Sequence, residues 1–169
     1  MDTFDAIFSR RSVRQYTSKV VPDALVTELL KAAMAAPSAG NEQPWQFIVI
    51  RDRAILDEVP KFHPYSAMVK HASVAVLVCG DLTLEKYKGF WVQDCSAATE
   101  NLLLAATAKG LGAVWTAVYP MEDRVAGMRK LLNLPEHIIP LSLVPIGYPA
   151  SLPAAADRFN AARIRRDRW

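Results

Sequence analysis

Residues 10 to 14 read RRSVR, three arginines and a serine in five positions. Guanidinium groups offer paired planar donors and the serine a neutral hydroxyl, a combination that suits phosphate oxygens. In extended geometry Arg10, Ser12 and Arg14 share one side while Arg11 and Val13 face the other. Phe4, Ile7 and Phe8 recur at helical spacing just before, so the same arginines would also suit a helix C-terminus, and the residues alone leave both readings open. A second set lies in PSAGNEQP, residues 37 to 44. Ser38, Asn41 and Gln43 are uncharged donors and acceptors, Gly40 permits close backbone approach, and Trp45 follows as an aromatic wall. Such a set suits a flat heterocycle edged with carbonyls and ring nitrogens, with a plain turn as the alternative. The third candidate is RFNAARIRRDRW, residues 158 to 169, which holds five arginines and one aspartate.

Other chemistries are disfavoured. The overall charge is +3, and with the tail set aside the body is close to neutral, so the broad basic face of a nucleic-acid binder is not expected. His63, His71 and His137 lack metal-ligand spacing, and no G-x-S-x-G elbow or Walker A loop occurs. GLG at residues 110 to 112 has Trp115 where a third glycine would stand and follows a helical pattern, which does not support a dinucleotide fingerprint. Cys79 and Cys95 lie in apolar contexts without C-x-x-C spacing and read as reduced core residues. No apolar run approaches the roughly 18 to 20 residues of a membrane span. The opening MDTFDAIFSRR has no secretory pattern, so a cytoplasmic protein without a membrane partner is expected.

The elements that must position these residues mix helices and strands without strict alternation, and α+β is the expected class. The chain of 169 residues is expected to form one domain. A helix should run from Pro22 until Pro37 stops it, followed by a loop and a buried strand over 45–50. A short helix around AILDEV and an irregular stretch over 61–71 lead to a strand over 73–81. Residues 91–109 form a long helix almost free of charge, which needs cover on nearly all sides and therefore points to the domain centre or a dimer interface. A strand over 113–120, a helix over 122–132 and a strand over 138–149 complete the pattern.

RRSVRQY, APSAGNEQPWQFIVI, WVQDCSAATENLLLAA leading to GLGAVW, LVPIGYP and the terminal RFNAARIRRDRW, taken in order, resemble the nitroreductase family of FMN-dependent oxidoreductases. The resemblance implies an α+β fold with a central, mostly antiparallel sheet flanked by helices. It also implies an intertwined homodimer with FMN at two interface sites, NADH or NADPH as electron donor, and a small-molecule acceptor such as a nitro compound or quinone. Position by position, Arg10, Arg11, Ser12 and Arg14 would hold the FMN phosphate and ribityl chain, joined by Arg158. Pro37, Ser38, Asn41 and Gln43 would approach the flavin, the first two from the partner chain, and Trp115 and Thr116 would line the ring. The segments 61–70 and 82–90, where a substrate lid would be, are brief. Phe62, His63, Tyr65 and Trp91 are candidates for lining the pocket. No catalytic acid or base is assigned. A specialised same-fold flavoenzyme (dehydrogenase, dehalogenase or flavin-fragmenting) and a non-catalytic flavin- or phosphate-binding module are the competing readings.

Overall fold

The structure is a computed structural model that describes residues 1–154 and 156–169. Five helices, α1 (Thr3–Ser9), α2 (Asp23–Met34), α3 (Arg53–Glu58), α4 (Trp91–Ala108) and α5 (Glu122–Leu132), surround strands β1 (Trp45–Ile50), β2 (Val74–Asp81), β3 (Gly112–Ala113), β4 (Thr116–Ala117) and β5 (Ile138–Gly147). The sheet runs β1-β2-β5-β3 with β4 also on β5, and every pairing between these strands is antiparallel. This is the α+β, antiparallel arrangement expected from the sequence.

β2 explains the layering. Its residues through Gly80 are all buried, and its side chains alternate between two apolar clusters, as a strand covered on both faces must. Val74, Val76 and Val78 pack with Leu29 and Ala33 of α2 and Ala98 and Leu102 of α4. Ala75, Leu77 and Cys79 pack with Leu56 of α3, Val118 and Met128 of α5. Cys79 and Cys95 are buried free thiols, and the Cys95 thiol donates to the Cys79 carbonyl at 3.5 Å. α4 is thus covered mainly by its own chain, which leaves Gln93, Glu100, Ala108 and Lys109 exposed.

The strand expected over 113–120 is instead two short pieces. Gly112 and Ala113 face Gly147 and Ile146, and Thr116 and Ala117 face Leu143 and Ser142, in one continuous register. The interruption falls opposite Val144 and Pro145, and a proline has no N–H to give to a ladder. Val114 and Trp115 are thereby released from pairing.

RRSVRQY lies along this edge of the sheet rather than projecting from α1. Ser12 bridges Ala113, the Val13 N–H donates to the Ala113 carbonyl at 3.0 Å, and the Thr17 N–H donates to the Tyr148 carbonyl at 2.8 Å. The Tyr16 hydroxyl donates to the Val13 carbonyl at 2.8 Å and reaches the Pro145 carbonyl at 3.2 Å. Burial pushes the ionisation of that phenol up, so it remains a donor. Val13 is buried directly over Gly112, where a Cβ would come within 2.5 Å of Val13 Cγ1.

The substitution Gly112→Ala should therefore destabilise the protein by about 1 to 3 kcal/mol through overpacking. Urea unfolding should show a lower midpoint with an unchanged slope.

Candidate functional site

A cavity of about 410 Å3 opens where the released Val114 and Trp115 and the adjoining β4 meet the 63–68 stretch, Arg14 and Arg124. Trp115 and Thr116 line it together with His63, Tyr65 and Met68. The Thr116 hydroxyl donates to the Leu143 carbonyl at 2.6 Å, so this side chain serves the sheet. Arg14 is exposed at the cavity and makes a 3.4 Å contact from Nη1 to the Ser12 carbonyl, which leaves most of its donors uncommitted.

Arg124 is held from the opposite side. Its Nη1 donates to the Ala117 carbonyl at 2.9 Å and its guanidinium lies 5.3 Å from the centre of the Tyr65 ring, a cation–π contact. Its Nε is buried without a hydrogen-bond partner. His63 is 1% exposed, and neither ring nitrogen meets a hydrogen-bond partner. Burial, followed by the Arg124 charge, lowers its pKa from the ordinary histidine value. The imidazole is therefore neutral around pH 7, with one donor and one acceptor. Buried polar groups left unpaired cost stability, so the unpaired His63 and Arg124 atoms beside this cavity make it the candidate site.

The remaining predicted residues lie elsewhere in the single chain. Pro37 and Ser38 line a separate groove with Phe90, Gln93, Asp94 and Ala97. Their loop is internally bonded: the Gln43 N–H donates to Ser38 Oγ at 3.0 Å and the Gln43 side-chain amide to Asn41 Oδ1 at 3.1 Å. Gly40, Asn41 and Gln43 all have φ near +50°, at 51°, 55° and 48°. Arg10 pairs with Glu100 of α4 at 3.4 Å. Arg11 is spent on carbonyls, its Nη1 donating to Phe8 and Arg10 at 2.8 and 2.7 Å and its Nε to Ala154 at 3.1 Å. Ser12 is half-buried and Arg158 is exposed in the tail. The single chain thus joins Arg14, Trp115 and Thr116 and keeps the Pro37–Gln43 loop apart from them.

Of the four pocket candidates, His63 and Tyr65 line the cavity. Phe62 packs against Gly127 instead, and Trp91 is buried against Gly80 and the Tyr119 ring. Met68 and Arg124 are among the lining residues that sequence reasoning missed. Arg124 had a signal: it is a cation in the first turn of α5, just after Glu122 and Asp123, where the helix dipole favours acids.

The architecture and cavity define an α+β protein that offers cations, aromatic faces and unpaired polar groups to a bound ligand. Residues 7–148 match the nitroreductase family. A Methanothermobacter thermautotrophicus protein named "Putative NADH dehydrogenase/NAD(P)H nitroreductase" is 55% identical over 169 residues, spanning 100% of this chain and 88% of its own. The crystal structure of a protein of the same name from Parabacteroides distasonis superposes with a TM-score of 0.95 at 43% identity, over 99% of this chain and 98% of that one. A structure from Desulfovibrio desulfuricans, a provisionally named nitroreductase in complex with FMN, superposes with a TM-score of 0.86 at 31% identity, over 100% and 98%. The chain belongs to the nitroreductase family.

The lowered pKa of His63 fixes the sign of a pH effect. Unfolding restores the ordinary proton affinity, so the unfolded chain takes up a proton first as the pH falls. The His63 contribution to stability is complete above the ordinary histidine pKa and is lost during acidification. Between about pH 7 and 5, wild-type stability in urea should fall more steeply than that of His63→Gln.

Proposed function

We propose that this protein is an FMN-dependent oxidoreductase, taking electrons from NADH or NADPH and passing them to a small-molecule acceptor of the nitro or quinone class. The observation that carries the reading is the cavity, which Arg14, Arg124 with its unpaired Nε and His63 with its unpaired ring line together with Tyr65 and Trp115. The names of the relatives and the FMN complex of a 31% identical structure support the same reading.

The donor set fits FMN. Arg14 is free to take phosphate oxygens, and Ser12, Arg10, Arg11 and Arg158 would join it, Arg10 by leaving Glu100 and Arg11 by leaving its carbonyls. Trp115 and Tyr65 offer apolar faces to a ring, while His63 and Arg124 offer donors to its polar edge. FMN bound there would supply two-electron redox chemistry that amino-acid side chains lack. The chain binds and orients it, and the cations disfavour loss of negative charge from the site.

A homodimer completes the site in this reading. Pro37, Ser38, Asn41 and Gln43 of a second copy would approach the flavin that Arg14 and Trp115 hold. α1 supports the pairing, because Phe4 and Phe8 stack with ring centres 6.0 Å apart and are 69% and 70% exposed, which leaves an apolar face without cover. With one cavity for both substrates, nicotinamide and acceptor must occupy it in turn.

The purified protein should be yellow, release FMN on heating and scatter light as a dimer at micromolar concentration. A colourless protein that FMN cannot reconstitute would overturn the reading, and a clean monomer would remove its shared site. Arg14→Ala should weaken FMN binding by about 1.5 to 3 kcal/mol, the loss expected for a charge-assisted bond. Arg166→Ala should do much less, as isothermal titration would show. Initial rates over a grid of NADH or NADPH against a quinone should give parallel double-reciprocal lines. Intersecting lines would require both substrates to bind together.

A further inference from the structure

Glu42 and Asp94 are the two buried carboxyl groups of the described residues, at 6% and 5% exposure. They stand at the junction of three segments. Glu42 Oε2 accepts the backbone N–H groups of Lys86 and Tyr87, at 2.6 and 3.1 Å. Asp94, in the first turn of α4, accepts the Ala39 N–H on Oδ1 at 3.0 Å. The other two oxygens, Glu42 Oε1 and Asp94 Oδ2, are buried and take no donor from the rest of the chain. Between them the pair ties the 39–42 turn to α4 and to the 82–90 segment. The same junction is closed by the Lys86 ammonium, which donates to the Gly40 carbonyl at 3.0 Å, and by Tyr87, whose ring leaves no room for a Cβ on Gly40.

Two ionised carboxylates in such a place would repel each other, and each would lack a donor for one oxygen. One proton between them removes both penalties. We propose that Glu42 and Asp94 share a single proton and act as positioning residues, clamping the Ala39–Gln43 loop and the 82–90 segment onto the start of α4.

The charged groups around the pair agree with this. Asp94 is pushed up from the ordinary aspartate value, first by burial, then also by Glu42 and Glu85, against the opposing Ala39 N–H. Glu42 is held below the ordinary glutamate value by the Lys86 and Tyr87 N–H groups, the Asp94 side chain and the Lys86 charge, which together outweigh its burial. Cys95, the remaining titratable neighbour, has its own ionisation raised by burial and stays a neutral thiol. The proton therefore belongs to the pair, with the raised Asp94 as the side that favours it and the lowered Glu42 as the side that favours the charge. The clamp is tightest in the window between the two displaced values. It loosens above the raised Asp94 value as the pair gains a second charge, and below the lowered Glu42 value as the carboxylate is neutralised. The loop carries two of the residues assigned above to a partner's flavin, Asn41 and Gln43, so the inference rests on the proposed function for what the clamp serves but not for the clamp itself.

Infrared spectra recorded against pH should show a protonated-carboxyl C=O band that persists above the ordinary carboxylate range and is absent from Asp94→Asn. In the same range, amide exchange at Asn41 and Gln43, corrected for intrinsic rates, should rise about threefold to tenfold as the wild-type band disappears. Asp94→Asn supplies a neutral donor at every pH, so its exchange should stay flat across that range. Glu42→Gln is the second variant and should lose the acid-side change. Absence of the band, or one pH profile shared by wild type and both variants, would overturn the proposal. Failure to bind FMN with the band and profiles intact would instead overturn only the flavin reading.

Discussion

The backbone pairing of residues 12–17 with the β3 and β5 edge is the constraint on which the candidate site depends. An arginine-rich stretch in solvent would be a diffuse cation, because each side chain has ample rotamer freedom to lose. Here Val13 is driven into the space over Gly112, and the Tyr16 hydroxyl ties Val13 to Pro145 across the sheet. Arg14 lies between those two anchors. Its starting point is thereby fixed relative to Trp115 and Thr116, which descend from the same edge.

The sheet reaches the other side of the cavity through a different route. β5 carries two prolines, and the one at position 145 interrupts its pairing just where Val114 and Trp115 must turn toward the ligand space. Arg124 then comes from α5, whose Met128 is packed beneath the sheet with Leu77 and Val118. His63 comes from the turn after α3. Three elements packed on one core thus deliver the polar groups of one cavity, and the core's close packing sets their spacing.

Much of this was legible in the sequence. The strands over 45–50 and 73–81, the long helix with few charges and the loop at 37–44 are local patterns, and the structure places them within a residue or so of expectation, but β1 is an edge strand with Gln46 and Val49 exposed where a buried strand was expected. Arg14, Trp115 and Thr116 could be chosen from residue type and resemblance. Arg124 and Met68 could not be chosen with confidence from spacing, because what brings them to the cavity is tertiary packing of α5 and the 67–71 turn. The two short strands in place of one were hidden for a related reason: Pro145 acts on its pairing partner thirty residues away, and nothing in AVWTAVYP itself announces the break. The partner of the Thr116 hydroxyl was not legible either, since the Leu143 carbonyl that accepts from it is a neighbour only across the sheet.

The two thiols acquire a meaning from their location. Burial pushes Cys79 up to about 12 and Cys95 higher still, and both are fully enclosed, Cys79 in the cluster under α3 and α5 and Cys95 in the cluster between β2 and α4. Sulfur chemistry needs the thiolate and an approach path, and neither is present here. Peroxide formed by reaction of a reduced cofactor with oxygen would find no accessible thiol to oxidise, only the sulfurs of exposed methionines such as Met1, Met34 and Met121. The chain is thus insulated from the side products of its proposed trade, and its inactivation under oxidising conditions should begin at methionines instead.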